Sequence, residues 1–193
     1  MPGYAIATSP PAEQVAAIVR AIGAVGSGDS SAVGMAFVVD SSRGGFDLSF
    51  DAFAPGQGGV MAGGLNNSQD AYGLGSLHFA YPILEGATYR VRLQAGASWL
   101  SVPPSAYGGQ ADALGFDLGG SANLGLFGPI GLEGHAHYTP YPVQIVDLRA
   151  AVALRAGQFA LLGGYRVIDV AQDSRTGPAA RFEGPEVGLG FIF

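Results

Sequence analysis

The feature that most constrains this chain is an alternation of apolar and polar residues with a period of two, which recurs along most of its length. In residues 89–100, Val91 and Leu93 alternate with Arg90 and Arg92. A period of two places successive side chains on opposite faces, so each such segment predicts a β-strand with two unlike faces. The nine segments are residues 33–40, 46–53, 72–81, 89–100, 114–125, 130–138, 145–155, 158–170 and 186–193. The sequence therefore predicts an all-β fold.

The composition indicates the surroundings that suit such strands. Of the 193 residues 12% are charged, 48% are hydrophobic and 32 are glycine, whereas an ordinary soluble domain is about 25% charged. This hydrophobic content excludes intrinsic disorder. All nine basic residues are arginine and the net charge is −6, which argues against nucleic-acid binding because that requires a basic face. The chain has no cysteine, which excludes disulfides and cysteine-based metal or nucleophile sites.

The separators between these segments alternate between short and long. Short separators are residues 82–87, 127–129 and 155–158, and long ones are residues 54–71, 101–113, 139–144 and 171–185. Short turns at one end and long loops at the other are typical of an antiparallel, up-and-down transmembrane β-barrel of the outer-membrane type. The uncharged runs at residues 93–111 and 118–132 are interrupted by Gly and Pro, so neither predicts a membrane-spanning helix.

The number of strands depends on how the N-terminal region is interpreted. Bacterial single-chain barrels have an even number of strands, so a tenth strand is expected upstream of residue 33, at residues 4–8. Residues 9–31 would then form the first long loop, with a short amphipathic helix at residues 11–25, where the apolar residues have a helical spacing. The alternative is an eight-stranded barrel with residues 1–30 as a separate arm. The preferred interpretation makes residues 1–193 a single barrel domain of about ten strands.

Two short motifs near the C-terminal end give a family resemblance. Residues 164–169 read Gly-Tyr-Arg-Val-Ile-Asp, residues 184–188 read Gly-Pro-Glu-Val-Gly, and Phe193 ends the chain. With Tyr-Thr-Pro at residues 138–140, these segments resemble the YfaZ family of outer-membrane proteins. The resemblance implies an outer-membrane β-barrel, and it implies no reaction.

The polar faces of the predicted strands carry both acidic and basic side chains. If these faces point inward, the charges must be paired, and Arg can bind a carboxylate through two hydrogen bonds. We therefore predict a lumen charge network, structural or pore-lining, in which the arginines pair with acids of neighbouring strands. Its members are Asp47, Asp51, His78, Arg90, Arg92, Asp117, Glu133, His135, His137, Asp147, Arg149, Arg166 and Glu186. The interior of an eight-stranded barrel is filled by its own side chains, and a ten-stranded barrel is only slightly wider. We therefore expect the network to fill the lumen.

The three histidines are the strongest candidates for metal ligands. His135 and His137 lie two residues apart in one predicted strand, so they share a face with Glu133 and could bind zinc or nickel. Packing in the lumen explains the same pattern without a metal. A catalytic zinc normally takes three protein ligands, and no histidines of this chain have the helical spacing that supports such a site. We expect no metal, no cofactor, no catalytic residue and hence no enzymatic activity.

These features predict a monomeric, porin-like barrel in the outer membrane of a bacterium, with a signal peptide already removed. Its expected role is membrane-structural, or that of a narrow passive pathway for small solutes. Its expected partners are outer-membrane lipid and the outer-membrane assembly machinery, which would recognise Phe193. The alternatives are an adhesin that binds an extracellular ligand through its long loops and a soluble ligand-carrying barrel. The soluble barrel would place its apolar face inward.

Overall fold

Ten antiparallel strands form a closed β-barrel in the described part of the chain. The computed structural model describes residues 16–26, 30–54, 71–103, 111–171 and 180–193. The strands are β1 (Ala16–Val25), β2 (Ser31–Asp40), β3 (Gly45–Ala54), β4 (Tyr72–Glu85), β5 (Tyr89–Val102), β6 (Ala111–Phe127), β7 (Ile130–Thr139), β8 (Ile145–Ala156), β9 (Phe159–Val170) and β10 (Ala180–Ile192). Each strand pairs with the next, and β1 closes the barrel by pairing with β10. Closure leaves no free sheet edge.

The nine segments with a period of two are all strands, β2 to β10. Several strands extend beyond the predicted bounds: β4 continues to Glu85, and β10 begins at Ala180. The prediction of about ten strands is confirmed, and the eight-stranded alternative is wrong. Residues 4–8, the expected first strand, lie outside the described residues.

The predicted helix at residues 11–25 is wrong over Ala16–Val25, which form strand β1. Closure explains this result, because β1 fills the space between β2 and β10 and pairs with both. Ile18 and Ile22, whose spacing fits a helix, are also an even number of residues apart and share one face of a strand. The connection from β1 to β2 is therefore residues 26–30 and not a loop over 9–31. Within the described residues, no helix is long and apolar enough to cross a bilayer.

The two faces of the barrel wall differ as the alternation predicts. On the outer face most large side chains are apolar and exposed, whereas the inner face carries the histidines and most of the charged side chains. The exceptions Asp112, Asp169, Arg181 and Glu183 lie on the outer face near the long-loop end. The exposed apolar residues include Val19, Met35, Phe50, Phe79, Leu93, Phe116, Leu118, Leu148, Tyr165, Val187 and Leu189. This distribution is inverted relative to a water-soluble protein, whose large apolar side chains are mostly buried.

Two of the tightest turns depend on glycine. Gly128 between β6 and β7 and Gly157 between β8 and β9 have φ angles of 53° and 61°. Residues with a Cβ rarely adopt these angles. These turns lie at the same end of the barrel as residues 41–44 and 86–88, which we call the short-turn end. The opposite end is the long-loop end.

Candidate functional site

The lumen is the candidate site, and it is filled by apolar side chains at its long-loop end. They come from the ends of the strands there, and Val143 joins them from the segment between β7 and β8. The members of this apolar layer are Ala24, Ala32, Phe53, Tyr72, Leu74, Leu100, Val102, Val143, Ile145, Ile168, Val170, Ala180 and Phe182. The Phe53 and Tyr72 rings stack at 5.3 Å, and Phe53, Ile168 and Phe182 are 0% exposed. The layer leaves little room for water at this end.

Directly below the apolar layer, Arg166 joins opposite walls of the barrel. Its guanidinium donates to both oxygens of Asp51 at 2.7 and 2.9 Å. It also donates to both oxygens of Asp147, through Nε at 3.0 Å and Nη2 at 2.7 Å. Asp147 lies on the neighbouring strand β8, but Asp51 lies on β3, across the lumen. Arg166 is 5% exposed, so one buried cation is neutralised by two carboxylates.

Further ion pairs cross the lumen toward the short-turn end. Arg20 on β1 contacts Glu133 on β7 at 2.9 Å, and Glu133 also binds Arg155 at 3.1 Å. Near the end itself, Asp40 accepts hydrogen bonds from Arg90 at 2.8 Å and from Arg92. We call Arg166–Asp51, Arg20–Glu133 and Arg92–Asp40 the cross-lumen pairs. Together they connect non-adjacent strands at successive levels of the barrel.

A histidine–carboxylate cluster lies between these pairs. His78 Nε2 and His137 Nδ1 are each 3.1 Å from Asp117 Oδ1 and 3.2 Å from each other. The second oxygen of Asp117 accepts a hydrogen bond of 2.9 Å from Thr139. Thr139 in turn shares a hydrogen bond of 2.7 Å with Ser98. Every polar atom in this chain of contacts is fixed by a neighbour on another strand.

The structure places every residue of the predicted network on the inner face of the barrel. Some expected partners are wrong. Arg90 and Arg92 bind Asp40, and Arg90 also binds Glu85, whereas acids of the predicted network had been expected. Asp117 pairs with histidines and not with an arginine.

Two other expectations about the network differ from what the structure shows. Arg149 binds Glu186, but their strands β8 and β10 are separated by β9, so the partners are not on neighbouring strands. The suggested strip of Glu133, His135 and His137 does not act as a unit, because Glu133 is bound by Arg20 and Arg155. His135 instead lies 3.6 Å from Asp147. Asp47 lines the lumen cavities and is paired in register with His78.

Four members of the observed network were not predicted from the sequence: Arg20, Asp40, Glu85 and Arg155. Arg20 lay within the predicted helix, and Glu85 and Arg155 lay within predicted short turns. Asp40 lies an even number of residues from Ala36 and Val38, so all three lie on the same face of β2. This spacing is the signal that could have predicted its inward position. Continuing the period of two to the ends of the predicted strands would have included Asp40 and Arg155, whereas Arg20 required β1 to be recognised as a strand.

Two cavities lie below the apolar layer. One, of about 60 Å³, is lined by Asp51, the three histidines and Asp117 among others. The other, also of about 60 Å³, lies nearer the short-turn end beside Arg92 and Glu133. Each has room for a few water molecules, because one water needs about 10–15 Å³ of such volume. The polar half of the lumen is thus filled by ion pairs that leave small cavities lined by both polar and apolar side chains.

Comparisons with known proteins find similar solved structures but no matching family or curated protein. The resemblance to the YfaZ family therefore stays a prediction. Among solved structures, this chain is similar to the N-terminal β-barrel domain of Pseudomonas aeruginosa OprF. The TM-score is 0.42 and the sequence identity is 12%, over 94% of this chain and 99% of that chain.

Proposed function

We propose that this chain is an outer-membrane β-barrel with a closed lumen, whose role is structural within the membrane. The observation that carries the proposal is the inversion of its two faces. Exposed apolar side chains cover the outside, while the inside holds the cross-lumen pairs below the apolar layer. In water this barrel would expose these apolar side chains, which is unfavourable by about 25 cal/mol per Å² of apolar surface, and a soluble ligand-carrying barrel would have placed them inside.

The distribution of aromatic residues supports the same proposal. Near the short-turn end, Phe191 contacts Phe159 and Phe193 with ring centroids 5.1 and 4.7 Å apart. Near the long-loop end, Phe50 contacts Trp99 at 5.3 Å. Transmembrane barrels carry aromatic girdles at both membrane interfaces. Recognition of Phe193 by the outer-membrane assembly machinery belongs to this proposal.

Membership of the YfaZ family is part of the same proposal. Its support is that the two motif segments form one paired unit. Arg166 is in register with Gly184, and Gly164 is in register with Glu186. The motifs therefore contribute both Arg166, which binds Asp51 and Asp147, and Glu186, which binds Arg149.

Folding into lipid tests the proposal. The chain is refolded from denaturant into phosphatidylcholine vesicles or detergent micelles, and samples are run unheated and boiled on the same gel. We expect the unheated protein to migrate faster than the boiled protein and to float with the vesicles. A chain that folds and stays soluble without lipid or detergent would refute membrane insertion.

A narrow passive pathway is the second candidate, and the two lumen cavities favour it. A continuous pathway would require the apolar layer to part, because the cavities lie below it. Uptake of a small sugar into vesicles that contain the wild-type protein tests this candidate. Uptake at the rate of protein-free vesicles would refute it, whereas faster uptake would support it over the closed lumen. Adhesion through the long loops and the absence of enzymatic activity stay predictions.

A further inference from the structure

Three potential ligand atoms converge in the lumen from three different strands. His78 Nε2 comes from β4, Asp117 Oδ1 from β6 and His137 Nδ1 from β7, and all three lie within 4.8 Å of one another. The side chains are 4%, 6% and 9% exposed. The chain has three histidines and no cysteine, so two of its three imidazoles meet at this point.

The triangle that these atoms form has the dimensions of a metal site. Its sides are 3.1, 3.1 and 3.2 Å. Ligands about 2.0–2.1 Å from a tetrahedral zinc ion are about 3.3–3.4 Å apart, and those on one face of an octahedron are about 3.0 Å apart. Two imidazoles and a carboxylate are a donor set that suits divalent transition metals, zinc among them.

The surroundings hold the triangle in place. Thr139 donates to Asp117 Oδ2, which leaves Oδ1 directed at the two imidazoles. Metal sites typically have such outer hydrogen bonds, which orient their ligands. Gly119, in register with His137, provides space for the ring, because a Cβ at Gly119 would lie 2.8 Å from Nδ1. The adjoining cavity of about 60 Å³ has room for a water molecule as a further ligand.

We propose that His78, Asp117 and His137 form a binding site for one divalent transition-metal ion of the zinc class, open on its cavity side. The ligands come from β4, β6 and β7. Strands β6 and β7 are adjacent, and β5 lies between β4 and β6. The bound metal would therefore crosslink four of the ten strands, β4 to β7. Because the apolar layer closes the lumen above the site, the metal would be incorporated as the barrel folds, as happens when binding is coupled to folding.

His135 provides a matched control on the same strand. It lies two residues from His137, faces the same cavity and has a ring centroid 5.2 Å from that of His137. It lies outside the triangle and beside Asp147. His135→Gln and His137→Gln are therefore the same chemical change at neighbouring inward positions, one outside and one inside the proposed site.

The test refolds the untagged full chain into micelles with Zn²⁺ or with EDTA and removes free metal by gel filtration. We expect one zinc per chain in wild type and in His135→Gln, and at least a tenfold weaker affinity in His137→Gln and Asp117→Asn. Thr139→Val should weaken binding by about 10–100-fold, as loss of an outer hydrogen bond does. Gel mobility of unheated samples confirms that each variant is folded.

A second measurement does not depend on the variants folding well. The urea midpoint of the wild-type protein should rise with Zn²⁺ concentration, because binding to the folded state alone stabilises it. Co²⁺ in place of Zn²⁺ should give the visible absorption of a tetrahedral nitrogen–oxygen site. The proposal is overturned if wild type retains no zinc and its urea midpoint is unaffected by it. It is also overturned if His135→Gln loses the metal as fully as His137→Gln.

Discussion

The two ends of the lumen are filled by different chemistry. At the long-loop end, Phe53, Leu100 and Phe182 fill the barrel by volume and are almost completely buried. Toward the short-turn end, Arg20 and Arg92 fill it by bonding to particular carboxylates. Apolar packing is non-directional, so it tolerates changes that conserve volume, whereas a buried charge requires its own partner. The two ends of the barrel interior should therefore respond differently to substitution by the same residue, methionine.

The largest effect is expected from Arg166→Met. This change keeps a long side chain but leaves Asp51 and Asp147 without their shared cation. Removal of one partner of a buried ion pair costs about 3–5 kcal/mol. Urea unfolding followed by the fluorescence of Trp99 measures the loss. A cost below about 1 kcal/mol would mean that the cross-lumen pair is hydrated and contributes little.

A second substitution tests the outer face against the inner face. Leu189 is 66% exposed on the outside of β10, and an arginine facing lipid costs about 2–4 kcal/mol near the membrane centre and less near its surface. Leu189→Arg should therefore reduce the yield of heat-modifiable protein in vesicles. Gly190→Ser is the control on the inner face, where a new Cβ would be 3.5 Å from its nearest neighbour. Equal yields for the two variants would show that the faces are assigned the wrong way round.

The apolar layer should tolerate substitution by methionine, whereas the cross-lumen pairs should not. Leu100 is 1% exposed within the layer, and Leu100→Met nearly conserves its volume. Such exchanges usually cost less than about 1.5 kcal/mol. The same urea titration should thus place Leu100→Met well above Arg166→Met in stability. The reverse order would contradict the distinction between the two ends.

The smallest effect is expected at the short-turn end, where the charged side chains of the lumen meet the exterior. The side chain of Arg155 is 50% exposed, and its partner Glu133 also has Arg20. Exposed pairs contribute about 0–1 kcal/mol, so Arg155→Met should change the urea midpoint little. A loss as large as that of Arg166→Met would show that the network acts as one unit from the centre of the lumen to its end.

Much of the fold could be predicted from sequence because the period of two is a local signal. It gave nine strands and the inward position of residues such as Asp117 and Arg166. The strand β1 was missed because its apolar residues, which are small or branched, fit both a helical and a strand periodicity. Only the need to pair with both β2 and β10 selects the strand, and that need is not visible within the segment itself.

The contacts of the site were harder to predict than its members. Parity assigns a side chain to the lumen, but it does not say which opposite strand that side chain meets. Arg166 reaches Asp51 from β9 to β3, and Arg20 reaches Glu133 from β1 to β7. These partners depend on the circumference and stagger of the closed barrel. The meeting of His78 with His137 is likewise a consequence of closure.

The most direct test of the closed lumen is conductance. Wild-type protein with confirmed heat-modifiable mobility is added to planar lipid bilayers under an applied voltage. We expect no steady channels, because the apolar layer and the cross-lumen pairs block the path from end to end. Large, steady conductance from the wild-type protein would contradict the closed lumen and would identify the barrel as a pore.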